Sequence, residues 1–264
     1  MRGFSLVELS IVLVILSLLA GGILAGRSLI RAAELRSVTT QISKTNTAIY
    51  AFRDKYFALP GDFNRAEDVW GTDPDGCPSH TNRVAKTATC NGDGNGRLDN
   101  LNLTESFRAW QHLSNAGLIE GQYTGVEGPV VANFDSDPGV NCPALAIGNS
   151  TGITLYTVQN YTSTGHWAFQ GRYGNILAFG FCSTWDCISP AFLPEEAWNI
   201  DTKLDDGKPG LGKLVTRTSC TGNGCQPNCN TATSGSGNGA EEAAEYRLDY
   251  KDGVACGFYY RAGY

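Results

Sequence analysis

The 264-residue sequence predicts an α+β protein: a very long N-terminal α-helix packed on an antiparallel β-sheet head with short helices and a long disulfide-pinned loop. Three observations predict it. No charged residue occurs from Leu9 to Gly26. From Arg27 to Phe57 apolar residues recur mostly every three or four positions, with neither Pro nor Gly between them. Beyond Phe57 the chain carries most of its 32 glycines together with alternating and aromatic-rich runs, a composition of turns and strands.

The first element is apolar enough to cross a membrane. With Phe4 to Val7 included, the uninterrupted stretch is about 20 residues long, enough to cross roughly 30 Å of hydrocarbon as a helix. Arg2 stands before it and Arg27 and Arg31 after it, so counting basic residues does not orient the span. Three readings compete: a secretory signal peptide cut near Ala20-Gly21-Gly22, a plain single-span anchor, and a precursor cut before the apolar stretch. Glu8 separates them. A carboxylate inside a span costs roughly 2.5 to 3.5 kcal/mol near its middle, and neither a signal peptide nor a plain anchor has use for it.

The run Gly3-Phe4-Ser5-Leu6-Val7-Glu8-Leu9-Ser10 resembles the cleavage and methylation site of the type IV pilin superfamily, which includes pilus subunits and the pseudopilins of type II secretion and competence. The resemblance implies prepilin cleavage between Gly3 and Phe4, N-methylation of Phe4, and Glu8 as fifth residue of the mature chain. A buried carboxylate needs a cationic partner. Cleavage would create one, the terminal amine of Phe4 on a neighbouring subunit, and Glu8 would then set assembly register. The chain departs from the family in its short leader, Met1-Arg2-Gly3, which leaves room for a start further upstream. It also lacks a proline near the far end of the span; Gly21, Gly22 and Gly26 are the expected flexible points.

The helix is expected to run on past the span. A leader at 1–3, an assembly helix at 4–26, a helical stem at 27–57 and a head at 58–264 describe the chain, with Pro60-Gly61 ending the stem. One helix from about Ser5 to Phe57 would be about 80 Å long. Residues 27–55 hold six basic and two acidic side chains, a collar suited to anionic headgroups, or else a solvated helix face. Residues 56–264 hold thirteen basic and twenty-three acidic, which argues against nucleic acid as the main partner.

In the head, Asn102-x-x-Glu105 reads as a capping box before a short core helix with Phe107, Trp110 and Leu113 on one face, ended by Gly117. Strands are expected at Ile153–Gln159, Trp167–Tyr173 and Ile176–Cys182, the last two joined by a hairpin at Gly174-Asn175. A second helix should start at Pro194, carry Ala197, Ile200 and Leu204 on one face, and end at Asp205-Asp206-Gly207. The run from Asn199 to Pro209 is similar to one in large pilin-like proteins. Val254–Tyr260 reads as the last strand. Residues 218–239 are too polar to bury and read as a surface loop pinned by cysteines.

Nine cysteines follow the span: Cys77, Cys90, Cys142, Cys182, Cys187, Cys220, Cys225, Cys229 and Cys256. In a head outside the cytoplasm these are disulfide candidates. Cys77–Cys90 and Cys182–Cys187 are the expected local pairs. Cys220, Cys225 or Cys229 would join one another or Cys142 and Cys256, and the odd number leaves one thiol over. Zinc at Cys220, Cys225 and Cys229 is a rival with poor spacing. Asn91, Asp93, Asn95 and Asp99 resemble the front of a calcium loop with Gly96 at its sharp turn; Asn102 stands where a bidentate acid belongs, and Glu105 is its candidate substitute. Asp201, Asp205 and Asp206 are a second, weaker candidate, and helix capping and a turn explain them well enough.

His80, His112 and His166 stand outside any H-E-x-x-H pattern, and neither a G-x-S-x-G elbow nor a P-loop occurs. His112 is expected at the surface or core edge. No enzyme is expected. The resemblance implies a structural subunit, a minor one by the size and cysteines of its head, of a type IV pilus or related pseudopilus. Its partners would be other pilin-like subunits, prepilin peptidase, an inner-membrane assembly platform and the lipid bilayer. It would sit in the bacterial inner membrane with a periplasmic head, then in the fibre. A tethered binding protein or adhesin that never polymerises is the alternative.

Overall fold

The computed structural model describes residues 5–78, 81–99, 105–129, 135–158, 169–183, 186–217, 226, 228–232, 240–261 and 263–264. Its elements are α1 (Leu6–Tyr56), α2 (Ala66–Trp70), α3 (Glu105–Asn115), β1 (Thr151–Val158), β2 (Gly174–Phe181), α4 (Pro194–Leu204), β3 (Leu214–Thr216), α5 (Ala240–Ala243) and β4 (Phe258–Tyr260).

α1 is one unbroken helix of 51 residues, and Gly21, Gly22 and Gly26 lie inside it without a break. It closes before Pro60. Phe57 takes a left-handed conformation at φ 53° and its amide donates to the Arg53 carbonyl at 2.8 Å, which satisfies one of the carbonyls left over at the helix end. Gly61, at φ +91°, then turns the chain against α3. A Cβ there would sit 2.3 Å from the Glu105 carbonyl oxygen, so only glycine fits.

The sheet has strand order β1-β2-β4-β3 and is antiparallel throughout. Val38, Ile42, Ile49 and Phe52 of α1 pack with Ile153, Leu155, Leu177, Phe179, Leu214 and Phe258 in the main core. The other sheet face holds a second cluster, Ile176, Ala178, Val215, Tyr259 and Tyr173 with Ile188. Covering on both faces explains why β2 reads as a continuous apolar run rather than a clean alternation.

The hairpin expected at Gly174-Asn175 is not there. Those residues open β2 and pair with Val158 and Thr157 of β1. Asn175 is held in place because its Oδ1 accepts from Thr157 Oγ1 at 2.5 Å and its Nδ2 donates to the Gly96 carbonyl at 2.9 Å. Tyr173 precedes the strand, and Trp167 and Ala168 lie outside the described residues. The expected one-sided α3 is instead buried all along Glu105–Leu113. The polar loop also departs from expectation where it is described. Gln226, Cys229, Asn230 and Ala232 are buried, because Gln226 Nε2 donates to the Ile188 carbonyl and Asn230 Nδ2 to Thr216 Oγ1 and the Arg217 carbonyl. Polarity did not prevent burial, because the side-chain NH2 group of Gln226 and that of Asn230 each found a carbonyl or hydroxyl to donate to.

Candidate functional site

The first half of α1 carries its side chains into open space. Every large apolar residue from Leu6 to Leu24, with Leu29 and Ile30, is more than half exposed. The same helix from Val38 to Phe52 buries one face, Val38, Ile42, Thr45, Ala48, Ile49 and Phe52. The change falls at Arg31, whose guanidinium grips the head: Nε donates to Glu196 Oε1 at 2.6 Å, and Nη2 to Glu196 Oε2 at 2.8 Å. This helix is long and apolar enough to cross a membrane.

At its start Ser5 and Glu8 form a capping box. The Glu8 amide donates to Ser5 Oγ at 3.2 Å, and the Ser5 amide to Glu8 Oε2 at 2.8 Å. Within one chain the carboxylate is thus engaged with backbone. Gly3 and Phe4 lie outside the described residues.

Among the described residues three disulfides are present: Cys77–Cys90, Cys182–Cys187 and Cys229–Cys256. The Cys229 bond removes a thiolate that zinc would need. Cys220 and Cys225 lie outside the described residues. Cys142, expected to pair with one of this group, is a buried free thiol. Its sulfur lies within 4.8 Å of those of Cys182 and Cys187, which are already joined to each other. Burial pushes the Cys142 thiol far up, with Asp137 adding to the push, so it is unreactive where it sits.

Of the calcium-loop candidates, Asp93 and the substitute Glu105 come together, with Asp62 as a third carboxylate beside them. Asn91 Oδ1 accepts from the Glu67 amide at the start of α2, and Asn95 Oδ1 accepts from the Arg97 amide. Asp99 contributes an amide to Glu105 Oε2. Burial pushes Glu105 up to about 7, and Asp62 and Asp93 add to that, against two amides that favour its charge. Asp62 accepts from the Asn95 and Gly96 amides. This tripod shapes the glycine loop through its own hydrogen bonds, and Asp62 was missed because it lies thirty residues away in sequence.

The second acidic group does assemble: Asp201, Asp205 and Asp206 meet at the end of α4. Burial pushes Asp201 up to about 7, and Asp206 and Asp205 add to it, while the Tyr246 hydroxyl opposes.

His112 is fully buried, not at the surface. Its Nδ1 accepts from the Gly61 amide at 3.0 Å and its Nε2 lies 3.1 Å from Thr89 Oγ1, which donates to Gln111 Oε1. That chain assigns a neutral ring with the proton on Nε2. Phe52 stacks on the ring. It is a core histidine. His80 and His166 lie outside the described residues.

Residues 1–24 match the prokaryotic N-terminal methylation motif. No curated protein and no solved structure matches the chain. The matched segment runs through the Ser5–Glu8 cap and most of the exposed apolar span. A motif of this kind, leading straight into a helix of this length, marks the chain as a type IV pilin-like prepilin.

Proposed function

We propose that this prepilin is a structural subunit of a type IV pilus or related pseudopilus, and a minor one. Prepilin peptidase would cut between Gly3 and Phe4, Phe4 would be N-methylated, and the helix would leave the inner membrane for a bundle of sister helices. The observation that carries this is the division of α1: the head buries the Val38, Ile42, Ile49 and Phe52 face but leaves every large apolar residue from Leu6 to Ile30 more than half exposed. An apolar helix of that length needs a covering other than water. Lipid supplies it first, and packed neighbours with the same faces supply it later. Cleavage would free the Phe4 amine beside the cap, giving the Glu8 carboxylate of a neighbour a cation to face.

The reading has a direct test. A photo-crosslinker placed at Leu16 in cells should yield species containing this chain and other pilin-like subunits, and terminal mass analysis of that material should find methylated Phe4 first. Only monomers, with Met1 intact, would instead describe a tethered binding protein that never polymerises.

A further inference from the structure

We infer that Asp201, Asp205 and Asp206 hold a calcium ion at the C-terminal end of α4. The three carboxylates each offer an oxygen, and these oxygens lie within 4.8 Å of one another. Carboxylate oxygens are the ligands calcium prefers, and its flexible coordination suits an arrangement the fold dictates, whereas magnesium demands near-ideal octahedral geometry and keeps much of its water. Three carboxylates around one point repel each other strongly, and among the described residues none of them is ion-paired with a Lys or Arg.

Each carboxylate has one oxygen held by a donor of the fold. The Tyr246 hydroxyl donates to Asp201 Oδ2 at 2.7 Å. The Leu214 amide donates to Asp205 Oδ2 at 3.0 Å, and the Lys208 amide to Asp206 Oδ1 at 2.8 Å. Donors outside the ligand shell that fix ligand orientation in this way are what a built metal site has. The other oxygen of each carboxylate is left for a ligand.

A separate observation points to that ligand. Asp201 is fully buried, and its Oδ1 accepts no hydrogen bond. The Gly207 amide lies near enough to favour the charged form but leaves this oxygen without a partner. A buried carboxylate oxygen without a partner is unfavourable, and a hard cation would satisfy it. The end of a helix is also where a cation is favoured. A bound ion would join the end of α4, the start of β3 and the Tyr246 segment.

The full chain in detergent should be titrated with calcium chloride by calorimetry, with magnesium chloride as comparator. Calcium should bind, and magnesium should bind about tenfold weaker or worse. Asp206→Asn, at an exposed ligand, and Asp201→Asn should each weaken calcium by about tenfold or more, and calcium should raise the Tm of the parent but not of Asp206→Asn. Asp93→Asn, in the other acidic cluster, should leave the titration unchanged. Absence of calcium binding up to about 10 mM would overturn the site, leaving Asp201 simply protonated. So would binding that survives Asp206→Asn, or that disappears with Asp93→Asn. If Asp201→Asn fails to fold, Asp206→Asn alone decides. None of these outcomes bears on assembly through α1.

Discussion

Arg31 and Glu196 lie 165 residues apart and meet in a two-point ion pair, Nε to Oε1 at 2.6 Å and Nη2 to Oε2 at 2.8 Å. Glu196 Oε2 also accepts from the Leu193 amide at 2.9 Å, so one carboxylate caps α4 and anchors it to α1. The pair marks where the apolar helix ends its free run and the head takes hold of it.

Arg31→Ala should therefore loosen the head from the stem. The arginine side chain is about a third exposed (31%), so the loss should be modest, about 1 to 2 kcal/mol in denaturant unfolding. Arg31→Lys should recover only part of it, because an ammonium cannot make both bonds in one plane. Equal stability of the parent and Arg31→Ala would show that the pair contributes nothing.

Glu8 has two separable roles, cap and charge. Glu8→Gln keeps an oxygen for the Ser5 amide but loses the charge; Glu8→Ala loses both. If the charge faces a neighbour's terminal amine, Glu8→Gln should abolish crosslinked multimers as fully as Glu8→Ala. Multimers retained in Glu8→Gln and lost in Glu8→Ala would assign Glu8 to the cap alone.

Cys142 should resist alkylation in the folded protein and react only after denaturation, since burial keeps it a thiol. Peptide mapping of Cys142→Ala should find the same Cys77–Cys90, Cys182–Cys187 and Cys229–Cys256 bonds. By contrast, Cys77→Ser with Cys90→Ser should cost about 3 kcal/mol, the loop-closure figure for a bridge over 13 residues.

His112 gives a signed pH dependence. Burial, with the Arg108 charge adding to it, lowers the ring from 6.5 to about 3, so the folded state excludes a proton that the unfolded chain takes up. Its contribution is fully present above pH 6.5 and is lost as pH falls from there toward 3, by up to about 1.4 kcal/mol per pH unit. Glu105 and Asp201, raised to about 7, act in the opposite sense: they bind protons more tightly when folded, and so stabilise as pH falls below 7. The His112 share is therefore read as the difference in slope between the parent and His112→Gln. Parallel slopes between pH 6.5 and 4 would show that the ring does not titrate on unfolding.

Whatever depends on neighbours along the chain was legible before any fold was known. The span, its continuation to Tyr56, the Pro194 start of α4 and its Asp205-Asp206-Gly207 end all follow from periodicity and capping residues a few positions apart. The methylation motif is likewise local. Tertiary structure alone decided what depends on residues distant in sequence. β2 opens at Gly174 rather than turning there because Asn175 finds Thr157 and Gly96. His112 is core because Gly61 and Thr89 satisfy both its nitrogens. Glu105 and Asp93 meet Asp62 from a distant segment, and Cys142 has beside it two sulfurs already joined to each other. Asn175 and His112 are held in the interior by partners the fold supplies, and those partners are set by packing between segments that no local pattern encodes.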